Sequence, residues 1–388
     1  MSSTREPVPQ ARFHDLIAAV CNDRYVPEDL RTYGPLEDWD VTGVEDMSMA
    51  FYGQKTFNRD LSRWDVRNVK NMRGMFSGAF AFNAPIETWD TGEVRDMSYM
   101  FHHAKAFHRP IGRWDTRRVT DMEAMFAGAH VFDAPIGDWD TGAVTNMQGM
   151  FMDTNFNQPL GGWNVSRVTN MGGLFSVTYY FNQPLEDWDV GAVTNMRCMF
   201  SCAVAFDQPL GGWNVSRVTN MSYMFVWAET FNRPIGGWNV SRVTNMQKMF
   251  SSAKRFNQPL RDWDVSRVTN MHKMFSSAKR FNQPLWDWDV SSVTDMAGMF
   301  EHTEAFNQSL RSWDIRGVKD MSWMFSCATA FRPTHLRGWS GLDRKNTRGM
   351  FAFTVDGGRH LRNAEHWQPP DIWREEEGVE EEEAERAS

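Results

Sequence analysis

The side chains best suited to metal or nucleophilic chemistry in this chain of 388 residues are ten histidines and four cysteines. His102, His103 and His130 stand about one repeat apart, and Cys198 and Cys202 are separated by four positions. An HExxH helix or two CxxC pairs would converge such groups on a zinc ion, and neither occurs. No carboxylate or thiol lies at ligand spacing from the histidines. They therefore read as solvated surface groups. Cys202 and Cys327 lie five repeats apart, too sparse for a disulfide framework, so the cysteines read as small core residues. No catalytic residue, metal or cofactor is assigned. An enzyme with an unrecognised site is the alternative, and histidines converging with carboxylates in one pocket would mark it.

Two polar patterns stand out. Asp or Asn follows each recurring Trp, as in Asp65, Asn164 and Asp264. The two residue types share an acceptor oxygen but not a charge, which favours hydrogen bonding to turn backbone over calcium coordination. The second pattern is charge. Between Arg242 and Arg280 stand nine bases and only the acids Asp262 and Asp264. Lys248 and Lys273, Lys254 and Lys279, and Arg255 and Arg280 are paired at intervals of 25, so stacked repeats gather them into one basic patch able to receive an acidic protein or another anionic ligand. The competing reading is a solvated face. Trp227, Trp286 and Trp323 fall outside the repeat pattern, and Trp286 joins the candidate surface as an aromatic anchor.

These groups are positioned by a repeat. Trp recurs at 39, 64, 89, 114, 139, 163, 188, 213, 238, 263, 288 and 313, at intervals of 25 with one of 24, and a degraded copy follows at Trp339. Counting from each Trp, Val stands at +5, Met at +8 and Phe at +12 in all twelve copies, with a further Phe near +18. Identical residues at identical offsets mean identical surroundings, which is the condition inside a solenoid. The period is too short for a propeller blade or a tetratricopeptide unit. The alternation in Leu185–Val190 predicts a short parallel strand. Val193, Met196, Met199, Phe200 and Ala203 predict a short helix with the preceding Asn or Asp as N-cap. The fold class expected is a right-handed α/β, leucine-rich-repeat-like solenoid of about 13 coils, each a short parallel strand plus a short helix, with the methionines in the core.

Residues 1–32 form an N-terminal segment in which Phe13, Leu16, Ile17, Val20 and Cys21 predict an amphipathic capping helix over 10–23. The solenoid occupies 33–351, a C-terminal cap 352–373, and a disordered acidic tail 374–388. The net charge of −8 belongs to that end: Asp371–Ser388 holds nine acids and two bases, leaving 40 acids against 39 bases elsewhere. A body so near neutrality argues against nucleic-acid binding. No apolar run is long enough for a membrane span, and the first ten residues lack the pattern of a secretory signal, so an intracellular or cytoplasmic location is expected.

The repeat Phe-Asn-Gln-Pro-Leu-x-x-Trp-Asp-Val-Ser-x-Val-Thr-Asn-Met-x-x-Met-Phe, as in residues 256–275, resembles the BspA-like leucine-rich-repeat family and its 25-residue domain of unknown function. The lead-in Tyr33–Val41 looks like that family's entry into its first repeat. The resemblance spans about residues 33–351. It implies a curved α/β solenoid used for adhesion or protein interaction, with no enzymatic activity in the repeats. Family members are often surface proteins, whereas this chain shows no recognisable export signal or anchor. The function expected is a non-enzymatic scaffold for protein–protein interaction with an unidentified protein partner. A cell-surface or extracellular adhesin is the alternative.

Overall fold

The structure, a computed structural model, describes residues 6–22, 30–356 and 359–360. Most of the expected C-terminal cap and all of the acidic tail lie outside the described residues. The chain divides into two compact units, Met1–Arg217 and Val218–Ser388. Within each, coils of one repeat stack directly on one another.

The columns inferred from the period are present in both units. In the first, the rings of Trp39 and Trp64 lie 6.4 Å apart and 7° from parallel, and those of Phe51 and Phe76 lie 5.4 Å apart. In the second, Trp263 and Trp288 are 6.5 Å and 2° apart, and Phe250 and Phe275 are 5.6 Å apart. Nearly every +5, +8, +11 and +12 side chain is fully buried, including the whole methionine column. An indole buried this deeply must satisfy its N–H. Trp39 Nε1 donates to the Gly34 carbonyl of its own lead-in at 3.1 Å, and later indoles use the coil before: Trp64 donates to the Leu36 carbonyl at 2.8 Å, Trp188 to Leu160 at 3.0 Å, and Trp288 to Leu260 at 3.0 Å.

The local elements differ from those expected. Among the described residues of the repeats, neither the strand nor the helix forms. Leu61–Trp64 and Val66–Val69 are closed turns, and coil-to-coil pairing is reduced to single parallel bridges at +7, such as Asp46 with Asn71 and Asn245 with Asn270. From +8 to +15 the backbone is a run of overlapping turns in which alternate N–H groups point opposite ways. Met75, Ser77 and Ala79 donate to the carbonyl three residues back in their own coil. Met72, Gly74, Phe76 and Gly78 donate to the next coil, onto Asp96, Ser98, Met100 and His102 at 2.7–2.9 Å. A helix would keep all of these bonds to itself and leave neighbouring coils unjoined. The burial spacing read as helical is correct; the backbone beneath it is not helical.

Such alternation needs left-handed residues, at +10 and +14 of every coil. Of these 26 positions only eight carry Gly; the other 18, from Met49 to Phe353, hold φ between 48° and 61°. The Asn or Asp at +7 is not a helix cap. It accepts the N–H two residues on, as Asp46 does from Ser48 at 2.8 Å and Asn270 from His272 at 2.9 Å. The residue after Trp does the same: Asn164 accepts from Ser166 at 3.1 Å and Asp289 from Ser291 at 3.0 Å. Those oxygens are thus turn acceptors.

The helix α1, Gln10–Asn22, closes the first coil with Phe13, Leu16 and Ile17 buried. Gln10 stands in for a missing coil. Its Oε1 accepts the N–H groups of Glu45 and Asp46, both at 2.8 Å, and its Nε2 donates to the Asp46 carbonyl at 3.0 Å. The short 3-10 helix Leu342–Arg344 replaces the +5 turn in the degraded last copy and still buries Leu342. The antiparallel pair β1 (Val355–Asp356) and β2 (Arg359–His360) follows it.

Trp188→Phe keeps an aromatic ring but removes the indole N–H from the Leu160 carbonyl, which then retains only the Trp163 N–H, and should cost about 0.5–1.5 kcal/mol for the lost bond in urea unfolding. Trp188→Ala should cost roughly 3–5 kcal/mol. An unchanged midpoint for the Phe variant would contradict the role given to the indole N–H. Gln10→Ala should speed amide exchange at Glu45 and Asp46 and leave Met271, in the second unit, unaffected.

Candidate interaction surface

The left-handed positions direct their side chains away from the core. A residue with a Cβ there costs about 1–2 kcal/mol relative to the ordinary backbone regions, and Gly avoids most of that penalty. The chain nevertheless places Trp227, Trp323 and Phe353 at these positions, exposed by 49%, 40% and 51%. At Gly74, Gly128, Gly298 and Gly349 the glycine also gives a neighbouring side chain room. A Cβ on Gly349 would fall 2.6 Å from the Trp323 ring, and one on Gly298 would fall 3.0 Å from Lys273 Cγ, because each side chain lies across the glycine of the next coil.

In the second unit these columns carry two of the basic residues, Lys248 and Lys273. Column +10 reads Tyr223, Lys248, Lys273, Gly298, Trp323, and column +14 reads Trp227, Ser252, Ser277, His302, Cys327. Lys254 and Lys279 share +16, with Arg255 and Arg280 beside them at +17. Direct bonds from Lys248 N to His272 O and from Ser252 N to Ser276 O set the two coils against each other, so the like-numbered cations stand one coil apart. Lys248 and Lys273, Lys254 and Lys279, and Arg255 and Arg280 are thus pairs on adjacent coils. Trp286 belongs to the stretch before Trp288. It stands two before its Trp, exposed by 44%, stacked under the Arg261 guanidinium at 4.4 Å.

The cluster is less naked than the linear run suggests. Lys254 pairs with Glu229 at 2.7 Å, Lys273 with Glu301 at 3.0 Å, and Lys279 with Glu304 at 2.8 Å. All three acids come from flanking coils outside residues 242–280. Two could have been found by reading at intervals of 25, since column +16 runs Glu229, Lys254, Lys279, Glu304. Lys248 instead lies 5.5 Å over the Tyr223 ring, and Lys254 also lies 5.8 Å over Trp227, in cation–π geometry. Among the described residues no ion pair reaches Lys248, Arg255 or Arg280. The result is a basic strip with an aromatic end at Tyr223 and Trp227.

The candidate catalytic groups do not converge. His102 packs against His103 at 4.1 Å and contacts Ser77 Oγ at 3.2 Å, while His130 pairs with Asp153 at 3.0 Å. Burial, then the adjacent His103, lowers the His102 pKa. Among the described residues no three His, Cys, Asp or Glu side chains are grouped to hold a metal. All four cysteines are free thiols and only partly buried, which corrects their reading as core; Cys198, Cys202 and Cys327 occupy left-handed positions. Burial raises the Cys198 pKa, the opposite of what an activated nucleophile requires. The Tyr99 hydroxyl donates to Glu123, and burial together with that carboxylate pushes its pKa up to about 12. In the first unit a shallow groove is lined by Pro110, Gly112, Pro135, Gly137 and Pro159, and another by Glu45, Arg67, Lys70, Asp90, Glu93 and Arg117; neither contains a histidine. No described helix is long and apolar enough to cross a membrane.

Comparison with known proteins agrees with the repeat. The family described as a Mycoplasma protein of unknown function, DUF285, matches residues 26–134, 107–209, 181–275 and 258–361, and the chain belongs to it. No curated protein matches the chain. Among solved structures it is similar to a leucine-rich repeat protein from Bacteroides ovatus, with 8% identity and a TM-score of 0.37 over 81% of this chain and 78% of that one. It is also similar to TLR13 in a complex with ssRNA13, with 11% identity and a TM-score of 0.21 over 77% and 53%. The functional domain of InlJ from Listeria monocytogenes gives 8% identity and a TM-score of 0.23 over 76% and 63%.

The His102 environment makes a signed prediction. With its folded pKa below 6.5, its contribution to stability is complete above that value and is lost as pH falls through the folded pKa. Between pH 7.5 and 5 the native chain should lose more stability than His102→Gln in parallel urea titrations. Identical slopes would contradict the assignment.

Proposed function

We propose that this member of the DUF285 repeat family is a non-enzymatic, leucine-rich-repeat-like scaffold that binds a protein partner through the outward left-handed columns of its second unit together with the +16 and +17 cations. The observation carrying this reading is the side-chain choice at +10 and +14, where bulky aromatic and basic groups are kept at positions that favour glycine. Strained backbone retained with exposed large side chains points to use of those side chains. Elsewhere in the coil the repeated polar groups are committed to turns or to neighbouring coils, so little of the repeat itself is left to bind with.

Lys248, Arg255 and Arg280, flanked by Tyr223 and Trp227, suit an acidic protein segment that brings one or two apolar residues to the aromatic end. Aromatic rings supply the anchoring area and the cations supply orientation and encounter rate. Four free thiols, none deeply buried, suit a reducing compartment, which supports an intracellular setting.

Arg255→Glu with Arg280→Glu is the variant of choice, since among the described residues neither side chain holds an ion pair whose loss would disturb the coil. In affinity capture from the native host, partners retained by the unaltered chain should be lost by the double variant while its thermal unfolding is unchanged. Retention of the same partners by a folded variant would refute this surface.

A further inference from the structure

The strip has a complementary ligand within its own chain. Glu375–Glu385 contains eight glutamates and no base, and Arg374 is preceded by the apolar pair Ile372 and Trp373. We propose that this acidic segment lies along the lysine–arginine strip of the second unit, occupying in cis the face offered to a partner. The inference rests on the function proposed above for that face.

Reach and order both favour it. The last described residue, His360, follows directly on the final coil, whose left-handed column ends at Phe353. From Phe353 back to Ser277 is three coils, about 15 Å at the spacing of parallel pairing. The 15 residues from His360 to Glu375 can span up to about 50 Å. A segment running back along the unit from the last coil would pass the exposed rings of Phe353 and Trp323 before the coils of Lys279, Arg280, Lys254 and Arg255. The segment presents its residues in the same order, with Ile372 and Trp373 ahead of the glutamates. Charge supplies the attraction. Lys248, Arg255 and Arg280 have no acid of their own among the described residues, and eight carboxylates exceed what they need. The glutamates of the folded coils already show the preferred pairing, since Lys254, Lys273 and Lys279 each take one.

Zero-length carbodiimide cross-linking of the full chain tests the contact, because it joins carboxylates to amines only where they touch. Cross-links from Glu375–Glu385 should concentrate on Lys248, Lys254, Lys273 and Lys279 over Lys55 and Lys105. They should persist on dilution and fall at least fivefold both in 0.5 M NaCl and in Arg255→Glu/Arg280→Glu. Even distribution over all lysines, or loss on dilution, would overturn the proposal. A second measurement separates it from the reading of the face itself. A synthetic peptide of residues 371–388 is titrated into the native chain and into a full-length variant with the eight tail glutamates changed to glutamine. Roughly tenfold tighter binding by the variant is expected. Equal affinities for both would overturn the cis contact and leave the face standing; binding to neither would overturn both.

Discussion

One hydrogen bond sets the terms for the rest of the molecule. A tryptophan indole is too large and too apolar to leave the core and too polar to be buried unpaired, so its N–H must find an acceptor at the depth where the ring lies. The carbonyl three residues before the Trp of the preceding coil is that acceptor, at 2.9–3.1 Å from Trp213 and Trp263 as from their neighbours. The bond can be made only if successive coils hold one register. That register in turn carries the phenylalanine and methionine columns and the alternating ladder of backbone bonds. A coil that slipped by one residue would strand an indole, a row of N–H groups and the Asn-to-Asn links such as Asn257 N to Asn232 Oδ1 at 2.9 Å.

Much of this was legible because the environment of a residue in a stack is another copy of itself. Trp39 through Trp313, the +8 methionines and the +12 phenylalanines announced their burial by recurrence alone. The local backbone was not legible. Val193, Met196, Met199 and Phe200 are buried at helix-like spacing, yet a run of turns with every fourth residue left-handed produces the same inward pattern. The usual marker of left-handed backbone is glycine, and Lys248, Trp227 and Cys202 conceal it. The ion pairs of Lys254 and Lys279 were hidden by reading along the chain; down column +16 the sequence Glu, Lys, Lys, Glu is plain.

The surface follows from the same geometry. Because the ladder fixes +10 and +14 in left-handed backbone, it also aims their side chains outward in straight files, one coil apart. A file of this kind displays whatever the sequence places in it without disturbing the core. The core columns are therefore uniform and the outer ones varied: Met49, Tyr99, Lys273 and Trp323 share a position and nothing else. In the second unit the variation sets Lys248 over Tyr223 and Lys254 over Trp227, and it is on these side chains, more than on the repeat, that the proposed function rests.

Exchange of the indole protons with deuterium, followed in amide-type correlation spectra, measures the founding interaction directly. The indoles of Trp64, Trp89, Trp188, Trp263 and Trp313, bonded to carbonyls of the coil before, should exchange orders of magnitude more slowly than those of Trp227, Trp286 and Trp323. If the repeat indoles exchange as fast as those three exposed ones, they are not held in a stacked register, and the account of both the core and the surface is wrong.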